Sequence, residues 1–392
     1  MGAGHGIRVL FGVVSPFLAV LLLFVAMYHC RNRSCNGGRD RRRRWLGWRG
    51  RPSGEKGHGG EGDGEEEEAE AEELISFPGG EDLTVHAILD APGEVVGKSN
   101  YSTLYKAWVG VSCSDDGGGG GGSGRRGSLM LLRFVRPACI GRTGEVLPAV
   151  QLLGFVRHPN LVPLHALYVG PRGEKLLILP FFSGGSLYHF LKDGSKESYQ
   201  WELIHQVSVG IAEGLDHLHN GLPRPVVHGN LKSKNILLDD SRRPRLSDFG
   251  LHLLLNPNSG QEMLEALAAE GYKSPELMKM REASKASDIY SLGIIFLEMI
   301  TRKEPSSELA PPANRRLPSS IWNPVFDGKA AEMLCPELLR RSTKEGSIKE
   351  DGLLEFFQLA MACCSPSPLL RPDIKDVRRK LADIGRLVRP PS

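Results

Sequence analysis

From Val9 to Tyr28 the chain is apolar, broken only by Ser15 and Pro16. Twenty helical residues at 1.5 Å each reach about 30 Å, the thickness of a bilayer core. Arg8 borders this run on one side. Beyond His29 on the other side come Arg31, Arg33, Arg39, Arg41, Arg42, Arg43, Arg44, Arg49 and Arg51. An excess of Arg and Lys marks the cytoplasmic end of a spanning helix. The pattern predicts a short extracytoplasmic N-terminus over 1–8, a transmembrane helix over 9–28, and a cytoplasmic body held at the plasma membrane by a single pass. A cleaved signal peptide carries its charge before the apolar run; here the charge follows it. Each Arg near an anionic leaflet contributes about 1 kcal/mol. The Arg run 31–51 therefore reads as a contact with an anionic membrane surface, and not with nucleic acid. Cys30 and Cys35 lie where palmitoylation occurs, although unmodified thiols fit as well.

The net charge of +3 conceals strong segregation. Residues 1–51 carry +9, residues 52–73 carry −9, and the rest carries +3. The acidic stretch is almost wholly Gly and Glu, so it cannot bury enough surface to offset its ordering entropy. Residues 29–75 thus read as a basic, then acidic, juxtamembrane linker. Six glycines, Gly117 to Gly122, sit in a second low-complexity piece, Asp115 to Arg126. That piece lies between β-like segments Ser102–Val111 and Ser128–Val135 and predicts a loose hairpin connection. The remaining body has ordinary globular composition, 41% hydrophobic and 24% charged for the chain as a whole. Seven cysteines are too few for a disulfide-dense scaffold. Ile204, Val207, Ile211, Leu215 and Leu218 recur at helical spacing within Gln200–Asn220. Ser284–Thr301 and Gly352–Cys364 read as strongly apolar helices.

Five short motifs follow one another in this body. They are His228-Gly229-Asn230-Leu231-Lys232-Ser233-Lys234-Asn235, Asp248-Phe249-Gly250, Ser274-Pro275-Glu276, Ser287-Asp288-Ile289-Tyr290-Ser291-Leu292-Gly293, and Arg371-Pro372. Their order resembles the protein kinases. Ile88–Lys98 and Arg157–Leu164 are similar to segments of plant receptor-like kinases of the leucine-rich-repeat class, without the repeats. The resemblance covers roughly residues 76–388. It implies an α+β, two-lobed protein-kinase-like fold, preceded here by the single transmembrane helix.

The departures from that family fall on its chemistry. The resemblance assigns nucleotide contact to Gly97, Ser99, Ser102, Leu104, Arg133, Leu179 and Phe181. Kinases close backbone N–H groups over the phosphates with a G-x-G-x-x-G loop, and only Gly97 remains of the three glycines. Asn100 and Tyr101 add bulk at the loop tip. Arg133 stands at the phosphate-binding Lys position, and a planar guanidinium does not replace a compact ammonium. The Glu that should pair with it, in the small-lobe helix, is Ala149, beside Pro148; Glu145, four residues earlier, is the one carboxylate that could reach across. Pro180 replaces the acidic residue of the inter-lobe hinge, after Leu179 at the gatekeeper position. Asn230 stands where an Asp would accept the substrate proton, and an amide is not basic. Losing a positioned base costs about 10²–10⁴ in rate. Gly229 removes the Arg that pairs with a phosphorylated activation segment, and between Gly250 and Ser274 the only hydroxyl side chains are Ser259 and Tyr272.

Lys232 and the two metal positions of the family, Asn235 and Asp248, are intact. ATP and Mg²⁺ binding is accordingly expected to be weak or absent. Phe249, His228, Asp288, Glu276 and Arg371 match residues that support the large lobe without taking part in catalysis. Cys363 and Cys364 read as core. The expected function is that of a membrane-anchored receptor-like pseudokinase. It would signal by protein–protein contact with other receptor kinases or signalling proteins at the same membrane. The alternative is a weakly active ATP-dependent Ser/Thr kinase with a degenerate site.

Overall fold

The computed structural model describes residues 71–110, 127–280, 282–306, 318, 330–344 and 347–388. The Val9–Tyr28 run, the Arg run, residues 52–70 of the linker and the Asp115–Arg126 connection lie outside the described residues. Among the described residues no helix is long and apolar enough to cross a membrane.

The chain builds a small β-rich lobe first. Strands β1 (Glu73–Ser76), β2 (Gly93–Lys98), β3 (Ser102–Gly110), β4 (Gly127–Val135), β5 (Ala166–Val169) and β6 (Lys175–Pro180) form one sheet in the order β1-β5-β6-β4-β3-β2. Every pairing is antiparallel. The sheet begins within the acidic stretch, where Glu73–Ser76 pairs with Val169–Ala166. Alternation assigns the faces. Ala107, Val109, Met130, Leu132 and Ile178 point to the outer face, where Leu83, Ile88 and Ala91 cover them. Ile88 belongs to a short helix, α1 (Val85–Leu89), capped by Thr84. The inner face carries Leu104, Lys106, Arg133, Leu131 and Leu179, cross-strand partners by register. Helix α2 (Thr143–Gly154) contacts β5 and buries Val146, Val150 and Leu153 in the core. Its last glycine abuts the Phe77 ring so closely that a Cβ there would lie 2.2 Å from a ring carbon.

The second lobe is mainly helical: α3 (Leu187–Lys192), α4 (Trp201–Asn220), the ribbon β7 (Ile236–Leu238) and β8 (Pro244–Leu246), α5 (Pro257–Ala269), α6 (Lys285–Thr301), α7 (Ala330–Met333), α8 (Pro336–Lys344), α9 (Ser347–Cys363) and α10 (Ile374–Val388). Helix α6 begins at a Ser284 cap, with Ser284 and Ser287 bonding each other's backbone N–H groups. Nearly all of α6 is buried, which makes it the axis of the lobe. One apolar core runs from α2 through α4 and α6 to α10. Helix α9 starts at Ser347, five residues before the sequence-predicted Gly352. Cys363 and Cys364 are fully buried, and burial pushes the Cys363 thiol up to about 12, so both are core residues.

Candidate functional site

Four elements converge between the lobes: the β2–β3 turn, strand β4, the loop after α4, and the segment following β8. The turn is closed by its own serines. Ser99 N–H donates to Ser102 O at 2.8 Å, and Ser102 N–H donates to Ser99 Oγ at 3.1 Å. Tyr101 does not stand at the tip as its position in the sequence suggests. It folds under the sheet, 7% exposed, with its hydroxyl toward Ser99 and Asn230. Burial, and then the Asp248 carboxylate, raise its pKa above the ordinary tyrosine value. An aromatic ring flanked by small polar residues gains more by entering a lined cleft than by staying in water. Leu104 folds back over Gly97, where a Cβ would lie 3.1 Å from its Cδ1.

Arg133 is the centre of the site. Its Nη1 donates to Ser102 Oγ at 3.0 Å and its Nη2 to Asp248 Oδ1 at 2.5 Å. The two charged side chains are 5% and 9% exposed. Asp248 holds φ +64° and Gly250 φ +65°, a backbone turn that costs a non-glycine residue strain. Glu145 does not reach across to Arg133. Its carboxylate accepts the Arg142 N–H at 3.1 Å and closes the start of α2. Ala149 packs into the core instead. The partner of Arg133 is therefore a carboxylate 115 residues away along the chain, which no local pattern signals.

The loop after α4 hangs from Asp288 of α6. Asp288 accepts His228 N–H at 2.7 Å and Gly229 N–H at 3.0 Å, and meets His219 Nε2 at 2.9 Å. Burial opposes ionisation of Asp288, but the histidine and backbone donors outweigh it and hold the carboxyl below its usual value. His228 is wholly buried, pushed down to about 4 by desolvation, and lies edge-on to Phe249. Asn230 is buried, and its carbonyl accepts from Asn235 Nδ2 at 2.9 Å. Asn235 is thus tied to the loop, and its own carbonyl accepts Ser247 N–H at 2.8 Å. Lys232 Nζ lies 2.8 Å and Lys234 Nζ 3.1 Å from the Glu270 carboxylate. Burial raises the Glu270 pKa, and the two lysines more than offset it, so the group sits below the ordinary carboxyl value.

Glu270 follows helix α5, which lies inside the activation segment. The signal for this helix was present in the sequence: Asn256-Pro257 is a cap-and-first-turn pair, and Met263, Leu264 and Leu267 make an apolar stripe. Both hydroxyls of the segment are buried. Ser259 donates its N–H to the Asn256 cap, and Tyr272 bonds Ser233 and Glu298. Toward the hinge, Phe181 N–H donates to Leu129 O at 3.2 Å and Lys106 Nζ stands 4.9 Å over the Phe181 ring. Leu179 and Leu131 are cross-strand partners behind it.

The residues present do not fit a magnesium-bound nucleotide in this arrangement. Asp248, the carboxylate that the sequence resemblance assigns to the cation, is bonded to the Arg133 guanidinium, which carries a permanent charge. The space under the turn holds Tyr101, and Ser102 is turned inward onto Arg133. Glu276 and Arg371 form a bidentate pair at 2.7 Å on both arms, below the cleft and separate from it.

Residues 141–376 match the protein kinase domain family. Over 319 residues the chain is 36% identical to the putative kinase-like protein TMKL1 of Arabidopsis thaliana, an alignment covering 79% of this chain and 44% of that protein. Over 307 residues it is 32% identical to a probable inactive receptor kinase of the same plant, covering 76% and 42%. The chain thus spans less than half the length of these relatives. The solved kinase domain of maize SIRK1, bound to AMP-PNP, superposes with a TM-score of 0.66 at 25% identity, covering 80% of this chain and all of the other.

Proposed function

The chain belongs to the protein kinase domain family, and we propose that it is a receptor-like pseudokinase anchored in the plasma membrane, signalling by contact with receptor kinases and not by phosphoryl transfer. The observation that carries this reading is the Arg133–Asp248 bridge, buried and shared with Ser102. Asp248 and Asn235 are the pair that would hold a metal ion, and Asp248 is already neutralised. Asn230 offers no base for a substrate hydroxyl. Lys232, which would face a transferred phosphoryl group, is engaged by Glu270. Two separate contributions to catalysis are therefore withdrawn by groups of the chain itself, and a third, the base, is missing. The relative described as a probable inactive receptor kinase supports the same reading. The Val9–Tyr28 run and its flanking arginines supply the anchor, and the large lobe with the α2 region supplies the surface for partners.

The test has two arms. The purified chain in membranes, given labelled ATP and Mg²⁺, should incorporate no phosphate into itself or into a generic basic substrate. Co-purification of a receptor kinase should survive Asp248→Asn, which keeps an acceptor for Arg133. Phosphate incorporation abolished by Asp248→Asn would make the chain an enzyme and sink the proposal.

A further inference from the structure

In an active kinase the small-lobe helix is placed by a Lys–Glu ion pair and by bound nucleotide. Neither is provided for here, since Arg133 faces Asp248 and the helix carries Ala149. Besides its packing in the core, α2 is tied at the loop that leads into it, residues 136–141. The activation segment is laced to this loop. Asn256 N–H donates to Cys139 O at 3.0 Å, Asn256 Nδ2 donates to Ala138 O at 2.7 Å, and Gly141 N–H donates to Leu254 O at 3.4 Å. Ile140 and Leu255 form a β-bridge within the lacing. Asn256 also caps α5, its Oδ1 accepting Ser259 N–H at 2.9 Å. The other end of α5 is tied to the Asn230 loop by Glu270.

The same loop holds the folded-in turn. Arg136 N–H donates to Tyr101 O at 3.0 Å and Arg136 Nη2 to Ser99 O at 3.2 Å. Within six residues, 136–141, the chain thus meets the activation segment, the start of α2 and the turn that carries Tyr101. Gly250 adds a direct contact, its position for a Cβ lying 2.6 Å from Leu153 of α2.

We infer that helix α5 with Asn256 is a strap that stands in for the missing ion pair, setting α2 and the Tyr101 turn together without any ligand. Asn256 is a positioning residue in this scheme, with its two side-chain atoms serving different elements. Oδ1 serves the strap and Nδ2 serves the loop, so the two roles separate by substitution. Releasing the strap from the loop should loosen α2 and the turn as one unit, whatever the catalytic state of the chain. Low-stability elements of this kind open locally, below the global unfolding free energy.

Hydrogen exchange followed by mass spectrometry on the full chain tests this. Asn256→Asp keeps the cap acceptor and loses the donor to Ala138. It should leave amides 258–268 protected, as in the parent. Exchange in 143–154 and 99–104 should rise at least tenfold. Helix α6, 285–301, serves as the internal reference and should not change. Exchange that rises only in 254–260, with 143–154 unaltered, would overturn the inference. If the aspartate also disturbs α6, Asn256→Ser, which retains a capping hydroxyl and lacks the donor, decides by the same readout. Since the readout is amide exchange, a chain that proved able to transfer phosphate would leave this result standing or falling independently.

Discussion

Replacing Arg133 with Leu leaves the Asp248 carboxylate buried without its partner. Both side chains are less than one tenth exposed. Removing one member of such a pair costs about 3–5 kcal/mol, most of it the penalty of an uncompensated buried charge. The loss of the donor to Ser102 adds about 1 kcal/mol. Urea unfolding at pH 7 should show this deficit as a lowered midpoint for Arg133→Leu. Adding Asp248→Asn to Arg133→Leu should return stability, because it removes the stranded charge. Equal unfolding midpoints for parent and Arg133→Leu, or a second substitution that only adds cost, would show that the bridge does not hold the cleft.

Other groups give independent checks. Burial pushes Glu298 up to about 7, against donated bonds from Tyr272 and Ser233. Its folded carboxyl keeps a proton that the unfolded chain releases near 4.5, so this group costs stability as pH rises from there through 7. Glu298→Gln should flatten that slope and raise stability at pH 8 by about 1–2 kcal/mol in thermal melts; an unchanged slope would dismiss the assignment. Gly229 sits at φ +73°, where a Cβ would lie 2.5 Å from His252 Nδ1. Gly229→Ala should cost about 1–3 kcal/mol, and His252→Ala should relieve the steric part in the double variant. Arg371→Ala strands Glu276 and should cost about 3–5 kcal/mol in denaturant unfolding. A cost below 1 kcal/mol would mean that the pair is not closed in solution.

The two lobes were legible because their signals are local. The described part of Ser102–Val111 is strand throughout, and Gln200–Asn220 appears as Trp201–Asn220, since alternation and helical spacing survive without knowledge of the contacts. The Asp288 support and the Glu276–Arg371 pair were legible for another reason: the motifs that carry them resemble a family whose large lobe needs them. The content of the cleft was not. Asp248 read as an intact metal position, and its bridge to Arg133 depends on a contact across 115 residues. Tyr101 read as bulk at a tip, and its burial depends on Asn230 and Asp248, far along the chain. Asn256-Pro257 announces a helix, but the bonds from Asn256 to Ala138 and Cys139 cross 118 and 117 residues, so the strap has no local signal.

If the chain's own residues have taken the nucleotide's place, a thermal melt with and without Mg-ATP shows it. A ligand present at about 100 times its Kd stabilises the folded state by about 2.7 kcal/mol. The midpoint of the parent chain should not shift at millimolar Mg-ATP. A concentration-dependent rise of the midpoint, absent in Asp248→Asn, would contradict it.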